Sequence, residues 1–126
     1  MSQTPAPTIL YICATCGMPK DAETGVKPTN PQSESLVARA TELLTDMPDV
    51  EVRLTKCLSL CSKPIAWALD NPERHATTFA PATTAEDMAA TVQLYLKTPL
   101  GEKMPKKDLP PEVKPTLISR IPPFKA

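Results

Sequence analysis

The sequence predicts a small α/β domain, and three observations support this prediction. Six segments with strand or helix periodicity follow one another as strand, helix, strand, strand, strand and helix, an order typical of helices packed on a small mixed sheet. The length of 126 residues fits one domain of ordinary size. Sixteen prolines against three glycines indicate that much of the remaining chain is loop, because proline interrupts helices and interior strands.

The first predicted elements are a strand and a helix separated by a loop. Residues 8–12, Thr-Ile-Leu-Tyr-Ile, form a β-branched and aromatic run that predicts a strand. Residues 18–31 contain three prolines and no sustained apolar period, which indicates a loop. A helix is predicted from there to about Asp46, with Asn30 or Ser33 as its N-cap. Its apolar face comprises Leu36, Ala40, Leu43, Leu44 and Met47.

The middle of the chain predicts three strands and a second helix. Residues 50–55 alternate apolar and polar side chains, the pattern of a half-buried strand. Residues 64–69 and 74–79 predict a hairpin around a turn at Asp70-Asn71-Pro72. Residues 83–86, Thr-Thr-Ala-Glu, match a capping box. The apolar face of the helix that follows comprises Met88, Ala89, Val92, Tyr95 and Leu96.

The chain divides into an N-terminal tail at residues 1–7, the α/β domain at residues 8–98 and a proline-rich C-terminal tail at residues 99–126. Residues 100–126 hold six basic and three acidic side chains, whereas residues 1–99 hold eight basic and eleven acidic ones. We therefore expect the basic tail to lie on the acidic body or on a partner, since its ending is too apolar for a purely solvated segment. A disordered tail is the alternative that its proline content leaves open.

Composition argues against several classes of protein. The formal charge is zero, whereas a nucleic-acid-binding protein needs a basic face. No apolar run approaches the roughly 18 to 20 residues of a membrane span. Residues 1–8 lack the basic start and apolar run of a secretory signal, so we expect a cytoplasmic protein. In a reducing cytoplasm, four cysteines are expected to bind metal or to do redox chemistry rather than to form structural disulfides.

The four cysteines form two pairs, Cys13-x2-Cys16 and Cys57-x3-Cys61, and each pair follows a predicted strand. Neighbouring strands would bring the two pairs together. Four converging thiolates are the donor set of a structural zinc site or of an iron–sulfur cluster. The sequence therefore predicts a metal centre with Cys13, Cys16, Cys57 and Cys61 as ligands.

Three types of centre are compatible with cysteine pairs. The run Cys13-Ala-Thr-Cys16-Gly17 is typical of a zinc knuckle, although the second pair is widened by Leu58-Ser59-Leu60. A redox-active dithiol usually precedes a helix, whereas Met18-Pro19 and a loop follow Cys16. A [2Fe–2S] cluster with two thiolates on each iron requires the least of the sequence.

Other residues near the cysteines have weaker signals. A Rieske centre needs two histidines, but the chain has only His75, which we expect to be a half-exposed strand residue. Lys20, Lys56 and Lys63 flank the cysteine pairs and could tune a potential or dock a partner, or they could be ordinary surface lysines. Leu58 and Leu60 could screen the sulfurs from water or could simply be core residues. No acid–base pair lies near the cysteines in sequence, so we expect a carrier rather than an enzyme.

Four features together resemble the thioredoxin-like [2Fe–2S] ferredoxins. These are Cys13-x2-Cys16, the Cys57-Leu-Ser-Leu-Cys61 loop, the Pro64-Ile-Ala-Trp-Ala strand and the capped last helix. The chain is also similar to a related family of small bacterial predicted metal-binding proteins of uncharacterised function, in which the ending Ser119-Arg120-Ile121-Pro122-Pro123 recurs.

The resemblance implies a thioredoxin-like fold, a [2Fe–2S] cluster on the four cysteines, one-electron transfer to a redox partner protein, and a homodimer. It also implies electron donation in cobalamin (corrin) metabolism, because some members of the closer family are found beside cobalamin-synthesis genes. The first cysteine pair is spaced more narrowly than in most thioredoxin-like ferredoxins. The alternatives are a zinc-stabilised interaction module and a metal chaperone.

Overall fold

The computed structural model describes residues 7–15, 18, 22–25, 28–55 and 65–121. Within these residues the chain forms five β-strands and two α-helices. The elements are β1 (Thr8–Cys13), α1 (Pro31–Leu43), β2 (Val50–Thr55), β3 (Trp67–Asn71), β4 (Arg74–Phe79), α2 (Ala85–Lys97) and β5 (Leu117–Ile121). Single turns of 3₁₀ helix lie at Lys106–Asp108 and Lys114–Thr116.

The strands form one mixed sheet in the order β2-β1-β3-β4-β5. The neighbours β1 and β2 are parallel, with Cys13 opposite Thr55 at their carboxyl ends. All other neighbouring pairs are antiparallel. The predicted α/β class, with a mixed sheet and two helices, is confirmed. Because β1 and β2 are parallel, their carboxyl ends lie side by side at one end of the sheet. We call this end of the strands the cysteine edge.

One continuous apolar core joins the sheet to both helices. Leu10 and Leu69 from the sheet are fully buried in it, together with Val92 of α2 and Ala40 of α1. At the cysteine edge Trp67 stacks on Phe79, with ring centroids 4.3 Å apart. The core explains the alternation of buried and half-buried residues along β1, β3 and β4, because successive side chains of a strand face opposite sides of the sheet.

Both helices begin at a polar cap, as the sequence predicts, although one cap is shifted. Asn30 caps α1 and its Oδ1 accepts the Gln32 N–H at 2.9 Å. The cap of α2 is Thr84, whose Oγ1 accepts the Asp87 N–H at 3.1 Å. The predicted capping box at residues 83–86 is thus one position too early, because Asp87 and not Glu86 lies in the reciprocal position. Helix α1 ends at Leu43, three residues before the predicted end.

The hairpin of β3 and β4 turns at Pro72 and Glu73, since Asn71 still belongs to β3. Asn71 nevertheless organises this turn, because its Oδ1 accepts the Glu73 N–H at 2.9 Å. Its Nδ2 donates to Thr8 Oγ1 at 3.0 Å and so joins the turn to the start of β1.

The segment after α2 belongs to the same fold as the body. Its side chains Met104, Leu109 and Val113 are buried in the common core. Residues Leu117–Ile121 then pair with β4 as an antiparallel edge strand. The sequence pattern predicted no strand in this segment, so β5 is missing from the predicted order of elements.

Apolar burial and strand pairing attach this segment to the body. Within the part of the chain that the structure describes, the ion pairs found join Arg39 to Glu42 and Glu86, and Arg53 to Glu51. None of these ion pairs involves the basic side chains of residues 99–121. The described contacts of this segment with the body are thus apolar packing and strand pairing. Among the helices of the described ranges, none combines the length and the apolar character that crossing a membrane requires.

Candidate metal centre

Cys13 is the last residue of β1, the strand that lies between β2 and β3. It is only 1% exposed. The parallel register places it directly opposite Thr55, the last residue of β2. The sequence folds this way because the apolar run at 8–12 forms an interior strand, and a thiol at the end of such a strand is buried by its neighbours.

Four hydrogen bonds fix the backbone of Cys13 and Ala14. The Cys13 N–H donates to the Ala66 carbonyl at 2.9 Å, and the Ala14 N–H donates to the Thr55 carbonyl at 2.7 Å. The Ala14 carbonyl accepts the Asn30 N–H at 2.6 Å. The Cys13 carbonyl accepts the hydroxyl of Ser33 at 2.7 Å. Both donors and both carbonyls of the dipeptide are thus paired, as buried backbone groups require.

These bonds join Cys13 to both ends of the segment that carries the second cysteine pair. Thr55 lies two residues before Cys57, and Ala66 lies five residues after Cys61. The chain therefore leaves the sheet and returns to it beside Cys13. The predicted ligands Cys16, Cys57 and Cys61 themselves lie outside the described residues, as do Lys20, Lys56, Leu58, Leu60 and Lys63. Their roles stay predictions.

The start of α1 lies at the cysteine edge. The first helix of the described residues, α1, begins at Pro31 and reaches this edge through the bonds from Asn30 and Ser33 to the Cys13–Ala14 backbone. The amino end of a helix carries a partial positive charge that favours nearby anions.

Sequence reasoning missed the role of Ser33, which was considered only as an N-cap. Its side chain is fully buried, and its hydroxyl bonds to a residue 20 positions earlier in the chain. The available signal was a serine three residues after Asn30, which places it in the first turn of the helix if Asn30 is the cap. The identity of its partner could not be read from local spacing.

His75 is placed away from the cysteine edge. The expectation that it is half-exposed is wrong, because it is 7% exposed on the buried face of β4. It lies four residues before Phe79, or roughly 13 Å along the strand at about 3.3 Å per residue. Its carbonyl accepts the hydroxyl of Tyr95 at 2.6 Å. The sequence pattern of residues 74–79 did not reveal which face of the strand is covered by α2.

Cys13 at the cysteine edge fits one ligand of a thiolate-bound metal or cluster. It is buried at a strand end, beside the two described ends of a segment whose sequence holds two further cysteines. Across the described ranges no group of three or more His, Cys, Asp or Glu side chains could hold a metal ion. This agrees with the position of three predicted ligands outside those ranges.

The five-stranded mixed sheet with two helices, and a cysteine at the end of the interior strand β1, define a thioredoxin-like fold. Its structure is similar to that of a thioredoxin-like [2Fe–2S] ferredoxin from Aquifex aeolicus, with a TM-score of 0.56 and 16% sequence identity. The similarity covers 91% of this chain and 93% of that one. At this identity the match shows the fold, and the predicted thioredoxin-like fold is confirmed.

The chain belongs to the family described as "Protein of unknown function (DUF1636)", whose sequence profile matches residues 10–123. The match includes all four cysteines and extends through β5. No curated protein matches the sequence.

Proposed function

We propose that this protein is a one-electron carrier whose [2Fe–2S] cluster is held by Cys13, Cys16, Cys57 and Cys61. The observation that supports this proposal best is the position of Cys13. It is buried at the end of the interior strand β1, and its backbone is bonded to both sides of the segment that carries Cys57 and Cys61. The likeness in fold to a thioredoxin-like [2Fe–2S] ferredoxin supports it further.

The protein prepares one ligand before any metal binds. Both backbone donors and both carbonyls of Cys13 and Ala14 are already paired, so the main chain at Cys13 has little freedom to lose. Ordering a residue costs about 1 to 2 kcal/mol of backbone entropy, and here that cost belongs to folding rather than to metal binding.

Charge and burial at this edge suit an anionic centre. The amino end of α1 lies beside Cys13 and favours negative charge. In our proposal Lys20, Lys56 and Lys63 add positive charge or dock a redox partner, and Leu58 and Leu60 keep water from the sulfurs. When bound, the cluster supplies reversible uptake of one electron. The protein is a carrier in this proposal and not an enzyme.

The decisive test is the colour and metal content of anaerobically purified protein. We expect red-brown protein with two irons and two sulfides per chain, and an electron paramagnetic resonance signal after reduction by dithionite. Colourless protein with one zinc per chain would overturn the proposal and favour the zinc-stabilised interaction module. Transfer of iron from the loaded protein to the metal-free form of a second metalloprotein, with no redox change, would favour the metal chaperone.

The ligand assignment has its own test within the second cysteine pair. Cys57→Ser should lower cluster content and change the visible spectrum, because a hydroxyl is a poorer ligand than a thiolate. Ser59→Ala, a substitution between Cys57 and Cys61, is the matched control and should retain the cluster. Unchanged iron, sulfide and spectrum in Cys57→Ser would show that Cys57 is not a ligand.

The family resemblance supports two finer proposals. We propose that this protein donates its electron to an acceptor in cobalamin (corrin) metabolism. The test is to mix the reduced, desalted protein with corrins and their reducing enzymes and to follow the corrin spectrum. We also propose a homodimer, which is tested by light scattering on the eluting protein. Corrin reduction no faster than with an unrelated ferredoxin would contradict the first proposal. A measured mass equal to that of one chain would contradict the homodimer.

A further inference from the structure

We propose that Ser33 is a positioning residue for the Cys13 ligand. The predicted effect on the metal centre rests on the proposed function. The contact between Ser33 and Cys13 is observed independently of it. Ser33 lies in the first turn of α1, is fully buried, and donates its hydroxyl to the Cys13 carbonyl at 2.7 Å.

Ser33 supplies the one bond of this set that a side chain makes. The other three bonds of the Cys13–Ala14 backbone join main-chain atoms, to Ala66, Thr55 and Asn30. These three persist whatever the side chains are, provided the fold is intact. The Ser33 hydroxyl is therefore the part of this arrangement that a substitution can remove without changing the backbone.

Loss of the hydroxyl removes a buried hydrogen bond to the Cys13 carbonyl. Loss of a buried hydrogen bond is unfavourable, so the end of β1 should open more often. Opening at Cys13 moves the backbone of the first ligand relative to Thr55 and Ala66. Groups that orient a metal ligand typically change metal affinity by about 10-fold to 100-fold when they are removed.

The first experiment uses the full-length apoprotein and needs no cluster. Iodoacetamide labelling followed by peptide mass spectrometry measures the alkylation rate of Cys13, and we expect Ser33→Ala to raise this rate at least about 10-fold. Hydrogen exchange should accelerate for the amides of Cys13 and Ala14 but not for those of β3 and β4.

Two control variants separate positioning from general destabilisation. Ser35→Ala changes an exposed serine two residues further along α1 and should leave the Cys13 rate unchanged. Tyr95→Phe removes another hydroxyl that donates to a carbonyl, at the opposite end of β4 from the cysteine edge. It should lower overall stability without selectively exposing Cys13.

The second experiment uses the cluster-loaded protein. Ser33→Ala should release iron to a chelator about 10-fold faster and should shift the midpoint potential and the electron paramagnetic resonance line shape. The two control variants should show neither change. A purely structural role for Ser33 would lower stability and leave the potential and line shape unchanged.

Equal Cys13 alkylation in Ser33→Ala and Ser35→Ala would overturn the inference. So would uniform acceleration of exchange through all strands in Ser33→Ala, since that result would make Ser33 an ordinary core residue. Protein that binds no cluster would instead overturn the proposed function, while the alkylation and exchange results would still decide the role of Ser33.

Discussion

The guanidinium of Arg74 lies over the ring of Tyr95, 5.9 Å from its centroid, and also donates to the Tyr95 carbonyl at 2.9 Å. The same guanidinium donates to the carbonyls of Leu96 and Thr98. These carbonyls belong to the last turn of α2 and to its C-cap Thr98, where donors within the helix run out. The Tyr95 carbonyl also accepts the Thr98 N–H at 3.3 Å. One side chain of β4 thus caps the carboxyl end of α2.

Removal of this cap should destabilise the fold. Arg74→Ala is expected to lower the free energy of unfolding by about 2 to 3 kcal/mol, because hydrogen bonds to a charged donor are lost and carbonyls are left without partners. Arg74→Lys should have an intermediate effect, since an ammonium cannot reproduce the fork of the guanidinium. Urea unfolding measures both.

Arg53→Ala is the matched control for Arg74→Ala, because Arg53 is an exposed arginine of β2 that pairs with Glu51 at the surface. Surface substitutions of this kind change stability by less than about 0.5 kcal/mol. Equal losses in Arg53→Ala and Arg74→Ala would contradict the cap.

The segment after α2 should contribute to stability as part of the core. Leu109 is 3% exposed, whereas Leu100 in the same segment is 57% exposed. Leu109→Ala is expected to cost about 2 to 5 kcal/mol, the usual range for truncation of a buried leucine. Leu100→Ala should cost less than about 0.5 kcal/mol. Thermal or urea unfolding checks the difference, and two equally small losses would mean that the segment does not pack on the body in solution.

Tyr95 should make the fold sensitive to high pH. Burial is the main cause that raises the pKa of Tyr95 above its usual value near 10; the Asp70 carboxylate raises it further, and Arg74 opposes the shift. The folded state therefore keeps the phenol proton where the unfolded state loses it. The stability that depends on this proton is complete below about pH 10 and is lost as pH rises above that value.

Tyr95→Phe isolates this effect. At neutral pH the variant should be less stable by about 1 kcal/mol, because the hydrogen bond to the His75 carbonyl is lost. Above about pH 10 the difference between the variant and the parent protein should shrink, since phenylalanine has no proton to lose. Urea unfolding between pH 7 and 11 measures the two curves, and a constant difference across this range would show that Tyr95 does not titrate as proposed.

Trp67 provides an optical test of the metal centre. It is the only tryptophan, and it lies opposite Ile12, the residue before Cys13. A bound [2Fe–2S] cluster absorbs where tryptophan emits, so loading with iron and sulfide should quench Trp67 fluorescence. Zinc has no such absorption and should quench far less. Equal emission of the apoprotein and of protein with measured iron and sulfide would place the cluster away from the cysteine edge.

The local sequence predicted most of the strands and helices correctly. β-branched and alternating runs predicted β1, β2 and β4, and the caps at Asn30 and near Thr84 predicted the starts of α1 and α2. These signals are local, since a strand alternates with period two and a helix cap satisfies amides within its own first turn. The boundaries were less accurate, as the shift from Glu86 to Asp87 in the second cap shows.

The four cysteines could be proposed as ligands from the sequence, whereas the contacts that hold the backbone of Cys13 could not be predicted from it. Two cysteine pairs after two strands predict a thiolate centre whatever the remaining contacts are. The bond from Ser33 to Cys13 spans 20 residues and depends on where α1 packs. No periodic pattern encodes such a contact.

The sequence alone determined the class of the fold, the two helices, four of the five strands and the cysteine pairs, because each of these has a local pattern. Only the tertiary structure decided that residues 117–121 add a fifth strand to β4, that His75 is buried, and that Ser33 holds the end of β1. The physical reason is common to all three. Each depends on contacts between segments distant in sequence, and these form only when the whole sheet and its helices bury a common core.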